Sequence, residues 1–345
     1  MPTHAETLNA SEVRSCAFIE DSQLRLRCFD DAVNRDSILE QVNQDPAALP
    51  APDVSRVEGL QLFPKAKLGQ GVSWVDHRWE LTPATRRGLF EVRPYKPVYM
   101  LPVFFNGDPN QNPTSPNPLN VVGTTQNLDT TEAKFQISLK TKLAENLLNT
   151  TADVWFGYTQ SSRWQVYNEA VSRPFRETNY EPEVMAVMPS SWSAFEDLTG
   201  FNPKVIGLGF NHQSNGRALP FSRSWNRIIG MVGFERGDTL FQVRPWARVP
   251  EDEAEDDNPD ISDYMGRMDY LLVHKDRGHE FSLLVRHNLR FNNESRGAFQ
   301  FDWAFPIQAN LRGHLQWFSG YGESLIDYNH RSDYIGLGVS LVGWY

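Results

Sequence analysis

The chain has 345 residues, 40% of them hydrophobic, and a mean hydropathy of −0.49, which together exclude wholesale disorder. Its net charge of −10 argues against a nucleic-acid partner, because neutralising phosphates takes clustered lysine and arginine. No window approaches the roughly eighteen consecutive apolar residues of a membrane helix, yet barrel strands of about ten alternating residues escape that test.

The start, "MPTHAETLNASEVRS", lacks the apolar core of a signal peptide, so none is expected, and an exported protein would be the processed form with a start methionine. Cys16 and Cys28 are close enough for one local disulfide, worth about 3 kcal/mol by loop closure, with two unpaired thiols as the alternative. The proline- and alanine-rich run "DPAALPAPDVSR" follows. Residues 1–75 therefore read as an N-terminal extension with a linker, and 76–345 as the main domain.

From about Leu89 the text falls into alternating runs of about ten residues, broken by Gly, Asn, Asp and Pro. In chain order they are "LFEVRPYKPVYMLPVFF", "AKFQISLKTKLA", "ADVWFGYTQSSRWQVYN", "EPEVMAVMP", "KVIGLGFNHQS", "SWNRIIGMVGFERG", "TLFQVRPWARVP", "YMGRMDYLLVHK", "EFSLLVRHNL", "GAFQFDWAFPI", "GHLQWFSGYGES" and "YIGLGVSLVGWY". That makes twelve, an even number of the kind that closes an antiparallel transmembrane β-barrel. In the last run Ile335, Leu337, Val339 and Leu341 share one face, while Gly336, Gly338 and Ser340 leave the other almost bare, as a crowded lumen requires. Trp344 and Tyr345 then read as interfacial aromatics. The 12% aromatic content suits girdles, although a β-sandwich would also use it. The polar run "PEDEAEDDNPDISD" reads as a solvated loop, with divalent-ion capture as the minor reading.

One alternation carries chemistry. Ile206, Leu208, Phe210, His212 and Ser214 share a strand face, where residues two apart lie about 7 Å from each other. Serine becomes a nucleophile only when a base takes its proton, and His212 is within reach of Ser214. Asn226 opens the following run, so a hairpin brings it beside His212, where its amide oxygen can orient the ring. An amide carries no charge, so it supports the imidazolium less than a carboxylate does. The alternative is two ordinary polar residues at a strand end, but on an apolar face an unpaired polar group is costly.

With these residues, "YTQSSRWQVYN", "RPFRETNYEPE", "NHQSNGRALPFSRSWNR", "VRPWARV", "DDNPDISDYMG" and "SGYGESLIDYNH" complete a pattern. From about Trp155 to the C-terminus the chain resembles bacterial outer-membrane phospholipase A, a family of calcium-dependent lipolytic barrels. The resemblance implies an all-β fold, a twelve-stranded antiparallel transmembrane β-barrel in the bacterial outer membrane, active as a homodimer on phospholipids and lysophospholipids at either sn position. It makes Ser214 the nucleophile, His212 the base and Asn226 the orienting amide on the lipid-facing wall. Gly216 matches the oxyanion position. Arg217 and Ser222 match Ca2+ ligand positions, joined by Ser172 of the partner subunit, and Gln160 matches an interface glutamine. Two departures stand out: the turn Ala218-Leu219-Pro220-Phe221 lacks the carboxylate some relatives carry, and Arg173 replaces a small residue.

Two other classes compete. A passive pore or structural barrel lines its lumen with polar groups and has no use for His212 and Ser214 facing lipid. A soluble β-sandwich binding module would stay folded without detergent.

Overall fold

The computed structural model describes residue 16 and residues 18–19, 21–32, 73–308 and 311–344. The opening run, the "DPAALPAPDVSR" run and Tyr345 lie outside the described residues. The chain divides into two units, Met1–Pro64 and Lys65–Tyr345. In the first, helix α1 (Ser22–Ala32) begins where the Asp21 carboxylate accepts the N–H groups of Gln23 and Leu24, both at 2.9 Å. A disulfide joins Cys16 to Cys28, with Cα atoms 5.5 Å apart.

The second unit opens with helix α2 (Trp74–Trp79), set by a reciprocal cap between Ser73 and Asp76. Twelve long strands follow: β1 (Val98–Asn106), β2 (Thr131–Ala144), β3 (Asp153–Trp164), β4 (Phe175–Pro189), β5 (Asn202–Ser214) and β6 (Ser224–Arg236). The second half comprises β7 (Thr239–Val249), β8 (Met268–Asp276), β9 (His279–His287), β10 (Gly297–Gln308), β11 (Leu311–Tyr321) and β12 (Arg331–Val342). Each pairs antiparallel with its sequence neighbours, and β12 returns to β1, from Tyr334↔Asn106 to Val342↔Val98. The sheet is a closed barrel. A two-residue stretch, Arg93–Pro94, pairs beside β2.

The side-chain alternation sorts by wall. Leu208, Phe210, Ile335, Leu337 and Leu341 are exposed on the outside. Inside, Arg163 and Lys134 converge on Glu323, Arg176 meets Glu132, and Arg244 meets Glu183 at 2.9 Å. Short turns join β6 to β7 and β8 to β9 at one end, while the long loops gather at the other. At the short-turn end Val75 and Trp79 of α2 enter an apolar cluster with Trp155, Met185 and Val205, and the Glu235 carboxylate accepts the Trp74 and Val75 N–H groups.

Two sequence expectations are corrected. Trp344 is no lipid-facing anchor: it packs against this internal cluster and its N–H donates to Glu280 at 2.8 Å. The eighth run starts too early, because Tyr264 and Met265 belong to a short helix, α4 (Ile261–Met265; α3 is Ser193–Thr199). Ile261 and Met265 bury with Trp225 and Leu325 beneath the loops, and Gly266 at φ 82° breaks the path before β8.

Closure has a tight point. At Gly338 the β12–β1 register shifts, and an added Cβ would strike the Met100 carbonyl, with Leu101 Cα only 2.7 Å away. Gly338→Val is expected to destabilise the barrel by about 2 kcal/mol, as overpacking does. Urea unfolding in detergent, followed by the gel-mobility shift of folded barrels, measures it; an unchanged midpoint would show that the seam has slack.

Candidate active site on the outer wall

Strands β5 and β6 pair so that His212 lies opposite Asn226 and Ser214 opposite Ser224. Both His212 and Asn226 point outward, since they continue the rows of Leu208 and Phe210 and of Ile228, all exposed. His212 Nδ1 and Asn226 Oδ1 are 2.9 Å apart. That bond occupies one ring nitrogen and leaves Nε2 as the one available for proton transfer. Ser214 is the last residue of β5, two positions on and on the same wall.

Behind Asn226 the structure adds a residue that sequence reasoning missed. Asn226 Nδ2 donates to Glu251 Oε1 at 3.1 Å. Asn226 pairs with Val249 on β7, and two residues further the same outward alternation brings Glu251 alongside. The signal was in the row Ala247, Val249, Glu251, but Glu251 was read as part of a charge run. Burial pushes the Glu251 carboxyl up from the usual range, and Arg248 opposes that rise.

The loop after Ser214 is held from inside by Asn215. Its Oδ1 accepts the N–H groups of Arg217 (3.3 Å) and Arg223 (3.0 Å), and its Nδ2 donates to the Phe221 carbonyl at 2.8 Å. This leaves Gly216 at φ +63° with the Tyr180 ring 3.2 Å from where a Cβ would stand. Among the described residues its backbone N–H has no hydrogen-bond partner.

Arg217 turns its guanidinium to the Arg176 carbonyl (3.0 Å) and to the Phe221 ring (4.0 Å). Ser222 Oγ donates to Asp257 Oδ2 at 2.6 Å. Asn120 Nδ2 ties the same pair together, reaching the Ser222 carbonyl and Asp257 Oδ1, both at 2.9 Å. The acidic run is thus not one solvated block. Residues 252–255 are exposed, but Asp256 and Asn258 are buried, and Asp257 faces Ser222.

Ser172 lies elsewhere on the rim, exposed in the β3–β4 loop with φ 62°. Gln160 sits on the outer wall of β3, accepting from Tyr158 OH at 3.1 Å. Register aligns Gln160 with Tyr180 and Tyr180 with Ser214, so the glutamine and the serine share one row across three strands. Cys16 and Cys28 belong to the other unit.

A closed antiparallel barrel with an apolar outer wall defines a membrane protein, here with a histidine–asparagine pair on that wall. The family model for phospholipase A1 matches residues 75–341, and the chain belongs to that family. It is 42% identical over 272 residues to a relative from Neisseria meningitidis serogroup B, covering 76% of this chain and 68% of that one. The phospholipase A1 of Escherichia coli K12 is 37% identical over 211 residues, 61% of this chain and 69% of its own. Among solved structures, an active-site Asn→Ala mutant of the E. coli outer membrane phospholipase A superposes with TM-score 0.65 at 32% identity, covering 75% of this chain and 95% of that one. The Salmonella typhi outer membrane phospholipase dimer with bound calcium gives TM-score 0.65 at 32% identity, over 74% and 94%. The protein is a phospholipase, a hydrolase of the bacterial outer membrane built as a twelve-stranded barrel.

Gly216→Ala should lower phospholipid hydrolysis about tenfold while leaving the barrel folded. The added methyl meets a left-handed φ that costs about 1 kcal/mol, and a ring that must shift. Rates in mixed micelles, with folding checked by gel mobility, decide it; wild-type rates would mean the turn tolerates a side chain.

Proposed function

We propose that the chain hydrolyses acyl esters of phospholipids and lysophospholipids, at both sn-1 and sn-2, through Ser214, His212 and Asn226. The observation that carries this reading is the 2.9 Å bond between His212 Nδ1 and Asn226 Oδ1 on the outer wall. Ser214 Oγ attacks the ester carbonyl while His212 Nε2 accepts its proton. His212 then returns that proton to the departing alcohol, and water attacks the acyl-serine by the same route. The Gly216 N–H donates to the oxyanion that forms between these steps. An asparagine is named active-site in the E. coli relative, which supports the role of Asn226.

Calcium fits the donors at the neighbouring turn. Ser222 Oγ and the Asp257 carboxylate are oxygen ligands of the kind a hard cation takes, and Asp257 replaces the carboxylate that Ala218-Leu219-Pro220-Phe221 lacks. Arg217 can offer only its carbonyl, since a guanidinium has no acceptor. Among the described residues no three His, Cys, Asp or Glu side chains are grouped to hold a metal. A shell of about six to eight oxygens therefore draws on carbonyls, water and Ser172 of the partner subunit. What calcium supplies when bound is positive charge beside the developing oxyanion. The calcium-bound dimer of the Salmonella relative supports this assembly, with Gln160 on the dimer-facing wall. Residues 1–75 are read as an N-terminal periplasmic extension and linker, and 76–345 as the outer-membrane barrel.

Ser214→Ala should reduce hydrolysis at least about a thousandfold without unfolding the barrel. Asn226→Ala should remain about tenfold faster than His212→Ala, because the amide orients the base without transferring the proton. Purified variants assayed on phospholipid in detergent with calcium test both, and appreciable turnover by Ser214→Ala would remove the nucleophile assignment.

Calcium should bind the cross-linked dimer more tightly than the dilute monomer, and Asp257→Asn should weaken it about tenfold in both states. Calcium titration reads this directly. Equal affinity in dimer and monomer would point to a site complete within one barrel, and an unaffected Asp257→Asn would exclude that carboxylate.

A further inference from the structure

We propose that Glu251 is a positioning residue of this active site: it fixes the Asn226 amide in the orientation that serves His212 and supplies the negative charge the asparagine lacks. The proposal rests on the reading of Ser214, His212 and Asn226 as the catalytic set.

The argument begins with what an amide can do. Asn226 has one acceptor end and one donor end, and a half-turn about its last torsion exchanges them. With Oδ1 toward the ring, His212 Nδ1 must carry the proton and Nε2 is left as the base. With Nδ2 toward the ring, Nδ1 becomes the acceptor and Nε2 keeps the proton, a tautomer that cannot take one from serine. The His212–Asn226 pair alone permits either arrangement. An ionised carboxylate only accepts. Glu251 Oε1, 3.1 Å from Asn226 Nδ2, therefore selects the first arrangement and with it the productive tautomer.

Charge adds to orientation. The bonds run from His212 Nδ1–H to Asn226 Oδ1, and from Asn226 Nδ2–H to Glu251, so each polarises the next. When His212 gains the serine proton, the imidazolium faces a polarised amide with a carboxylate behind it.

The charged groups around Glu251 leave it free for this role. Arg248 Nη2 is 4.0 Å from Glu251 Oε2 but only 2.6 Å from Asp256 Oδ1, so its nearer partner is the aspartate. Asp256 and Asp257 add negative charge from the same loop, and Asp257 is held by Ser222 and Asn120. From β5 the group facing it through Asn226 is His212.

The test compares Glu251→Gln and Glu251→Ala with wild type in detergent and calcium, measuring kcat, KM and the pH profile. Each is also made in the Asn226→Ala background. Glutamine keeps the size and an acceptor but loses the charge and the donor-excluding character of a carboxylate. The expected result is a fall in kcat of about tenfold for both single variants with KM little changed. The acid limb of kcat/KM should move to lower pH in Glu251→Gln, because His212 loses a charge that favours its protonated form. In the Asn226→Ala background, removing Glu251 should cost nothing further. A purely structural contact predicts the opposite: Glu251→Gln restored to wild-type rate and profile, with only Glu251→Ala impaired. That outcome overturns the proposal while leaving the triad intact. Losses that multiply in the double variant overturn it as well, since Glu251 would then act independently of Asn226. Ser214→Ala run alongside separates the two readings, and turnover surviving in it would overturn the triad and this proposal together.

Discussion

Hydrocarbon offers the backbone no hydrogen-bond partners, so every strand that crosses it must be paired on both sides. In this chain the requirement is met by the return of β12 to β1, and the register there shifts at Gly338, where two backbones come close enough to exclude a side chain. Without that seam β1 and β12 would each present an unpaired edge to lipid. Closure also decides orientation for every residue in the wall. Once the sheet is a cylinder, the two faces of each strand become lumen and lipid, and the period of two assigns residues without ambiguity. The site inherits its position from this assignment: with β5 paired to β6 in the observed register, His212 and Asn226 must meet, and must meet outside.

The lumen bears the complementary consequence. Charged side chains barred from the outer wall fill the interior, and there they are paired: Lys142 contacts Glu80, Glu145 and Asp153, and Arg176 contacts Glu132, Glu323 and Asp327. Such groups gain little net stability from pairing, but removing one partner leaves an uncompensated buried charge, which costs about 3–5 kcal/mol. The interior therefore resists change without needing to be greasy. This gives meaning to the few polar residues outside. On the wall that faces lipid, His212 and Asn226 meet across adjoining strands and are paired to each other at 2.9 Å.

How much of this was legible in the sequence follows from periodicity. Strands with a strict period of two, such as Ile335 to Leu341, announced both their type and their outward face, and each of the twelve runs overlaps an observed strand, although the first and the eighth begin well before theirs. What the period cannot carry is the path of loops. Trp344 follows a strand pattern in text, yet the chain turns inward after β12 and buries it. Tyr264 and Met265 look like the start of a strand, but Gly266 ends a short helix there. In the candidate site, His212, Ser214 and Asn226 were visible because they lie on strands. Asp257 and Glu251 were not, because an acidic run in sequence gives no sign of which members find partners on other segments. Only the fold separates Glu251, at the foot of a strand row, from the exposed acids that follow it.

The site joins two kinds of support, and the division fits the chemistry. Asn226 is paired on both sides, to His212 and to Val249, whereas His212 is paired to Asn226 on β6 while the β4 ladder passes from Asn211↔Glu183 to Ser214↔Tyr180 without it. Ser214 stands at the last rung, and beyond it, from Gly216 to Ser222, runs a loop shaped largely by side chains, with one backbone bond from Phe221 N–H to the Ala218 carbonyl. Asn215 reads that loop from within, and the buried Arg223 clamps the carbonyls of Pro220, Ser222 and Asn120. Asn120 and Asp257 belong to two other loops, so the turn after Ser214 is shaped by three segments that share no strand. His212, the proposed base, is thus held from β6 through Asn226, whereas the turn proposed to bind the oxyanion depends on the loops agreeing with one another. A second barrel docking along the row of Gln160, Tyr180 and Ser214 would press on that loop cluster rather than on the base. If the chain pairs as proposed, assembly would act on the turn rather than on the His212–Asn226 pair, an arrangement suited to a membrane enzyme that must stay idle among its own substrates.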